Sequence, residues 1–477
     1  GAILDDSSEV SFPMTLQLVL LSLHPGEDGE ALREAARNKN AVDLERLLLK
    51  AYHPDAVGES GEAPIHIVSG NGALECCNLL IEAGSDVDMP TVPPFRGGLA
   101  PVHFACIYGQ LEILRSLIEA SAETNHTDDD GNTPLQIASL EGHSEIVRLL
   151  IDSGADKEKA SMGAGYTPLI MACQEGHLEV VQILIEAGAD TEKAAGRGYT
   201  PLLIASAEGY VEVVRLLIEA GADKENATGR GYTPLLIACA EGHVEVVRLL
   251  VEARADTEKE HARTGYTPLL VASSEGHLNV VRLLIEAGAD KEKDTGRGYT
   301  PLLMASQHGQ LEIVRYLIEA GADKEKAARD DSSITPLLVA SFQGQFEVVR
   351  LLLEAKADKE KASTGTGYTP LMVASGEGHL EIVRLLVESG ADKERASIAT
   401  GFTPLLGATC GGHLEVVRLL IGARANLEVG LSGISPLAMA FQRGYLEVAR
   451  LLLSAGADPD VGKEVNLSVP AKRRKRE

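Results

Sequence analysis

Six of the thirteen histidines follow a glycine, at His143, His177, His243, His277, His379 and His413, and are separated by 34, 66, 34, 102 and 34 residues. Imidazoles invite a metal or a proton-transfer role, but these intervals place one histidine per copy of a period near 34 residues. Neighbouring packed helical units lie roughly 10 Å apart, whereas zinc ligands meet one ion at about 2 Å. A column with one histidine per copy therefore cannot chelate, and these residues read as loop-packing groups. Cys76, Cys77, Cys106, Cys173, Cys239 and Cys410 show neither paired disulfide spacing nor a zinc pattern. They fall mostly where other copies carry Ser, Ala or Thr, and read as reduced, buried thiols used as small hydrophobes in an intracellular compartment. Asp128-Asp129-Asp130-Gly131 lacks the spaced ligands of a calcium loop. There is no phosphate-cradling Gly-rich loop, no nucleophile elbow, no His-Glu-x-x-His and no kinase signature set. The chain reads as a non-enzyme with no cofactor and no metal.

What positions these residues is a repeated unit, written at Gly198 to Asp223 as GYTPLLIASAEGYVEVVRLLIEAGAD. Its proline returns at Pro64, Pro101, Pro134, Pro168, Pro201, Pro234, Pro268, Pro301, Pro336, Pro370, Pro404 and Pro436, in steps of 32 to 37 residues. Such a period marks stacked units, each too small to bury its own apolar face. Thr200-Pro201 is a helix start, since the hydroxyl accepts a bond from an orphan N–H and proline is pre-set for the first helical position. The first helix carries Leu202 to Ser206 and stops at Gly209, a residue free to take the left-handed conformation. A second helix, Val211 to Ala220, turns Val213, Val214, Leu216, Leu217 and Ile218 inward and leaves Glu212, Arg215 and Glu219 in water. Leu216 is expected between neighbouring units, and Arg215 within reach of Glu212 and Glu219. Lys224 to Tyr232 is a polar, Gly-rich turn or hairpin.

These motifs resemble the ankyrin repeat. Thr-Pro-Leu occurs nine times, from Thr133-Pro134-Leu135 to Thr403-Pro404-Leu405. The Gly-His pairs, the run Glu-Val-Val-Arg-Leu-Leu and the closing Gly-Ala-Asp fit as well. The resemblance spans residues 28–462 in about thirteen units, counting Asp28 to Val57 as a polar N-terminal cap. It implies an all-α solenoid of stacked helix-turn-helix units with projecting hairpin loops. The chain departs from the pattern in two ways. The histidine that follows Thr-Pro-Leu in the family is Ile170, Leu203 or Leu236 here, so packing must replace its hydrogen-bond ladder. The asparagine after Gly-Ala-Asp is mostly glutamate, as at Glu225 and Glu292.

Three domains are expected: 1–26 outside the repeat, 27–462 the solenoid, and 463–477 a basic disordered tail. In the first, Gly1, Leu4, Asp5 and the run Leu16 to Leu20 resemble the end of a ubiquitin-like domain, whose remaining strands would lie upstream and make this chain a fragment. The other reading is an N-terminal extension whose apolar strand packs on the first repeat or stays loose. Between the two divergent early units, MPTVPPFRGG forms the longest insertion, with Phe95 and Arg96 at a proline-stiffened tip. In the tail, Lys472, Arg473, Arg474, Lys475 and Arg476 read either as a nuclear import signal or as a solvated end. A net charge of −26 in 477 residues argues against nucleic acid on the repeat body and favours a basic or neutral partner. No apolar run approaches the ~20 residues of a membrane span.

The composition and the resemblance together imply a protein-interaction scaffold or adaptor in the cytoplasm, with the nucleus reached through the tail. The alternative is the interaction arm of a larger, ubiquitin-linked enzyme whose catalytic part lies outside this chain. In the family, the residue before Thr-Pro and the end of the first helix line the concave binding side. Carried over, this gives Tyr166, Tyr199, Tyr232, Tyr266, Tyr299, Tyr368 and Phe402 in one column. A second column holds Glu141, Glu175, Glu208, Glu241 and Glu275, with Glu377 further on and His308 and Gln343 interrupting. A carboxylate at a helix C-terminus faces the negative end of the dipole, which costs on the order of 0.3–1 kcal/mol. Local stability does not explain the column. It reads either as a lane for an extended basic segment, with Phe95 and Arg96 adding selectivity, or as duplicated residues solvated or resting against the following histidine.

Overall fold

A computed structural model describes residues 29–50, 52–93, 97–329, 333–428 and 434–460. The N-terminal segment with its ubiquitin-like motif, Phe95, Arg96 and the basic tail lie outside the described residues. Among those described there are twenty-six α-helices and no strand, so the molecule is all-α. The chain divides into two compact units, Gly1–Pro234 and Leu235–Glu477.

In the first unit the helices come in short antiparallel pairs, from Gly29–Arg37 with Ala41–Leu48 through Pro201–Glu208 with Val211–Glu219. In the second, the pairs run from Pro268–Glu275 with Leu278–Glu286 to Pro436–Arg443 with Leu446–Ser454. The local rules hold pair after pair. Thr167, Thr200, Thr300, Thr369 and Thr403 each accept the backbone N–H three residues on, at 3.2–3.3 Å, and a proline follows at the first helical position. Gly209 closes its helix at φ 81°, a left-handed conformation in which a side chain would be strained.

The first helix of an inner copy is buried over most of its length because the helices before and after cover it. Leu202, Leu203, Ile204, Ala205 and Ser206 are all buried. The second helix buries a single stripe. Val213, Val214 and Leu217 are inside as expected, whereas Leu216 and Ile218, expected inside too, are half-buried. Arg215 pairs with Glu212 at 3.2 Å but not with Glu219. Five of the six cysteines are buried and Cys410 is half-buried, and all six are free. Cys106, Cys173 and Cys239 take the place of Ser139 and Ser206, where only a small side chain fits between helices. Burial drives the Cys77 thiol up to about 12 and raises the others too, which leaves them unreactive neutral groups.

Candidate binding faces

Three ladders of hydrogen bonds tie one helix pair to the next and decide which side chains are left over. The first involves the histidines after glycine. In the first unit His177 Nε2 meets the Leu140 carbonyl at 2.9 Å, and His143 reaches Ile107 O at 3.4 Å. In the second, His277, His379 and His413 meet Ala240, Phe342 and Gly376 carbonyls at 2.8–3.0 Å. Each satisfies an orphan carbonyl in the last turn of the preceding first helix. Where glutamine stands in place of the histidine, Gln110, Gln310 and Gln345 donate to the equivalent carbonyl. The Nε2 nitrogen is thus committed to backbone, and Glu175, Glu275 and Glu377 have no hydrogen bond to the histidine that follows them.

A second ladder runs along the loops. The glutamate two residues after the Gly-Ala-Asp aspartate accepts the backbone N–H of the next copy's aspartate. Glu158 takes Asp190 N–H and Glu192 takes Asp223 N–H in the first unit, both at 2.8 Å. In the second unit Glu258, Glu292, Glu325 and Glu360 do the same for Asp290, Asp323, Asp358 and Asp392, at 2.8–2.9 Å. Lysines lock it, with Lys193 donating to Glu158 O and Lys361 to Glu325 O, both at 2.6 Å. The substitution of glutamate for asparagine is therefore a structural device, since Asn125 fills the same role for Asp156 N–H at 2.7 Å.

The third ladder corrects an expectation. The bond network of the histidine after Thr-Pro-Leu is not replaced throughout, because His66 and His103 keep it in the two divergent units. His103 Nδ1 accepts the Ala100 N–H at 3.0 Å and Nε2 donates to Asn132 O at 3.3 Å. Gln136 reproduces this, its Oε1 accepting Thr133 N–H at 2.7 Å and its Nε2 donating to Tyr166 O at 2.6 Å. From Ile170 onward the position is apolar, and Ile170 and Leu203 are fully buried.

Against these ladders the two proposed columns separate. Tyr166, Tyr199 and Tyr232 in the first unit, and Tyr266, Tyr299, Tyr368 and Phe402 in the second, are all half-buried. Their carbonyls close the loops, as in Thr228 N–H to Tyr232 O and Thr295 N–H to Tyr299 O. Tyr299 also packs on Leu303, Ala328 and Val339. The tyrosines thus serve the fold while showing one edge. Tyr266 and Tyr299 line a common groove of about 680 Å³ with Glu260, Arg263 and Arg297. Sequence reasoning missed these arginines; for Arg297 the recurring Gly-Arg-Gly-Tyr at residues 196–199, 229–232 and 296–299 held the signal, whereas Arg263 stands outside that motif.

The glutamates behave differently. Glu141, Glu175 and Glu208 in the first unit and Glu241, Glu275 and Glu377 in the second all end a first helix and are exposed. Apart from Gln174 Nε2 on Glu175 at 3.1 Å, no described residue gives their carboxylates a hydrogen bond or ion pair. His308 bonds Ser274 Oγ at 3.2 Å, and Gln343 is exposed. The stem of the Phe95 loop is fixed by Val92 N–H to Gly61 O at 3.0 Å and Gly97 N–H to Asp129 Oδ2 at 3.1 Å.

Among the described residues no group of three or more His, Cys, Asp or Glu side chains could hold a metal ion, and no helix is long and apolar enough to cross a membrane. A comparison with curated proteins returned no match. The model of the family described as ankyrin repeats (3 copies) matches residues 32–128, 91–161, 157–228, 187–261, 221–295, 253–328, 292–363, 324–397 and 394–463. These overlapping matches take in the helix pairs, their capping threonines and all three ladders, and the chain belongs to the ankyrin repeat family.

Proposed function

We propose that this chain is an adaptor that binds an extended, basic or neutral segment of another protein along its tyrosine and glutamate columns. Ankyrin repeats are protein-interaction modules, and the proposal adds the surface and the chemistry of the partner. The observation that carries it is the set of exposed helix-end carboxylates, none in an ion pair with a described residue and only Glu175 hydrogen-bonded, to its neighbour Gln174, at positions where the helix dipole disfavours them. Exposed carboxylates and half-exposed aromatic edges, which share one groove at Tyr368, Glu377 and Phe402, offer negative potential and flat apolar contact together. In this reading Phe95 and Arg96 contribute selectivity, and Lys472 to Arg476 either compete for the carboxylates or direct the chain to the nucleus.

The test stays within the first unit. Glu141, Glu175 and Glu208 are changed together to Lys, and the proteins retained by the full chain are quantified at low and high salt. The triple variant is expected to lose at least tenfold in affinity and to show a flatter salt dependence. The same proteins held with the same salt profile would overturn the reading.

A further inference from the structure

The repeat pattern breaks inside two successive first helices where neither turn geometry nor close packing demands it. Gly407 stands in the column that holds Met304, Val339 and Val373 in the preceding copies, and Gly376 in the column of Gln307 and Phe342. Both lie inside helices, Pro404–Gly411 and Pro370–Glu377, where glycine weakens the helix relative to alanine. Neither is needed for space. A Cβ at Gly376 would have nothing within 4 Å, and one at Gly407 would make only ordinary contacts, 3.6 Å from Gly376 Cα and Met372 O. Gly411 is different, since a Cβ there would lie 2.7 Å from Gly376 O.

The missing side chains leave a notch of about 340 Å³ inside the second unit, lined by Phe342, Tyr368 and Phe402 together with Met372 and Val373. Phe342 is 46% exposed. Glu377 is the single charged side chain on the lining, and its carboxylate has no hydrogen bond or ion pair with any described residue. Three aromatic rings and an unpaired carboxylate form an apolar seat with negative potential. Cations gain from the ring faces, and guanidinium, being planar and weakly hydrated, gains most. A long cationic side chain matches both parts, with its methylenes against the walls and its charge at Glu377.

We propose that this notch is the anchor site for one arginine side chain of the basic segment; the inference rests on the interaction reading above and supplies the residue that fixes register. The probes are acetyl-Gly-Ser-Arg-Ser-Gly-amide and its norleucine counterpart, which keeps the stem and lacks the charge. The reporter is the Met372 methyl of the full chain labelled at its seven methionines, assigned with Met372→Leu. The arginine peptide is expected to move the Met372 signal saturably, and the norleucine peptide at least tenfold more weakly. Glu377→Gln should bring the arginine peptide down to the norleucine level. Gly376→Gln, which puts into the notch the residue of another copy, should abolish both. If that variant loses its native methyl dispersion, Phe342→Ala replaces it, with at least a fivefold loss expected. Equal binding of the two peptides, a still Met372 signal, or an unchanged Glu377→Gln titration would each overturn the proposal. The Glu141, Glu175 and Glu208 triple variant should titrate as the wild type does, so a failed lane and an empty notch give separate readings.

Discussion

His103 and Gln136 occupy the same place in successive copies and make the same two kinds of bond, but only one of them titrates. Burial pulls the His103 ring down to about 4, helped by the charge of His126 beside it, while Asp128 and the Asn132 carbonyl pull the other way. Burial also lowers His66, against the opposing influence of the Met89 carbonyl, Asp55 and Asp86. Both rings use Nδ1 as an acceptor, which a protonated imidazole cannot offer. The unfolded chain therefore takes up these protons first as pH falls. The contribution of His103 is complete above its ordinary value of 6.5, drains away as pH falls toward about 4, and amounts to roughly 3 kcal/mol at most. His103→Gln should keep stability at pH 7 within about 1 kcal/mol and remove much of the loss between pH 6.5 and 5. Urea unfolding at the two pH values decides it, and an undiminished loss in the His66→Gln, His103→Gln double variant would refute the account.

The helices themselves were legible from sequence because their determinants are local. Threonine before proline, glycine after glutamate and a 3.6-residue apolar stripe act over a few residues, and Pro201–Glu208 and Val211–Glu219 lie within one or two residues of expectation. What joins helix to helix was harder to read, since partners sit about one period apart. Leu216 and Ile218 are only half-buried because Leu217 alone of the three, four residues after Val213 and three after Val214, lies on the same helix face as those valines. The glutamate of Asp-Lys-Glu-Lys read only as a departure from the family's asparagine, yet Glu325 accepts Asp358 N–H at 2.9 Å while its carbonyl takes Lys361. Of the two columns, the exposure of the glutamates follows from helix position, whereas the half-burial of the tyrosines depends on the neighbouring copy. The ladder gives a prediction at this scale. Glu325→Ala should cost about 1 kcal/mol by leaving a backbone N–H to water, and Glu325→Asn, which copies Asn125, should recover most of it. Amide exchange at Asp358 is the measurement, and equal protection in both variants would show that the ladder carries no stability.

Each compact unit buries its core only between copies, so stability should behave as a sum of copy and neighbour terms. A charge placed where two copies meet tests this more sharply than a cavity, because nothing nearby can pair with it. Leu150, on the second helix Ser144–Asp152, is fully buried in the middle of the first unit. Its neighbours Ile146 and Val147 are apolar and buried as well. Leu150→Asp should cost on the order of 3–5 kcal/mol, the scale of an uncompensated buried charge. That is enough to open the copies on either side while more distant copies keep their own neighbours. Amide exchange should therefore rise first in Pro134–Glu141, Ser144–Asp152 and the adjoining helices Leu111–Glu119 and Leu178–Glu186. Pro336–Gln343 and Phe346–Glu354, in the second unit, should keep wild-type protection. The urea transition should broaden or split, with its upper part at the wild-type midpoint. A single sharp transition, displaced as a whole, with protection lost evenly from both units, would mean that the copies fold as one cooperative body and that nearest-neighbour bookkeeping does not describe this chain.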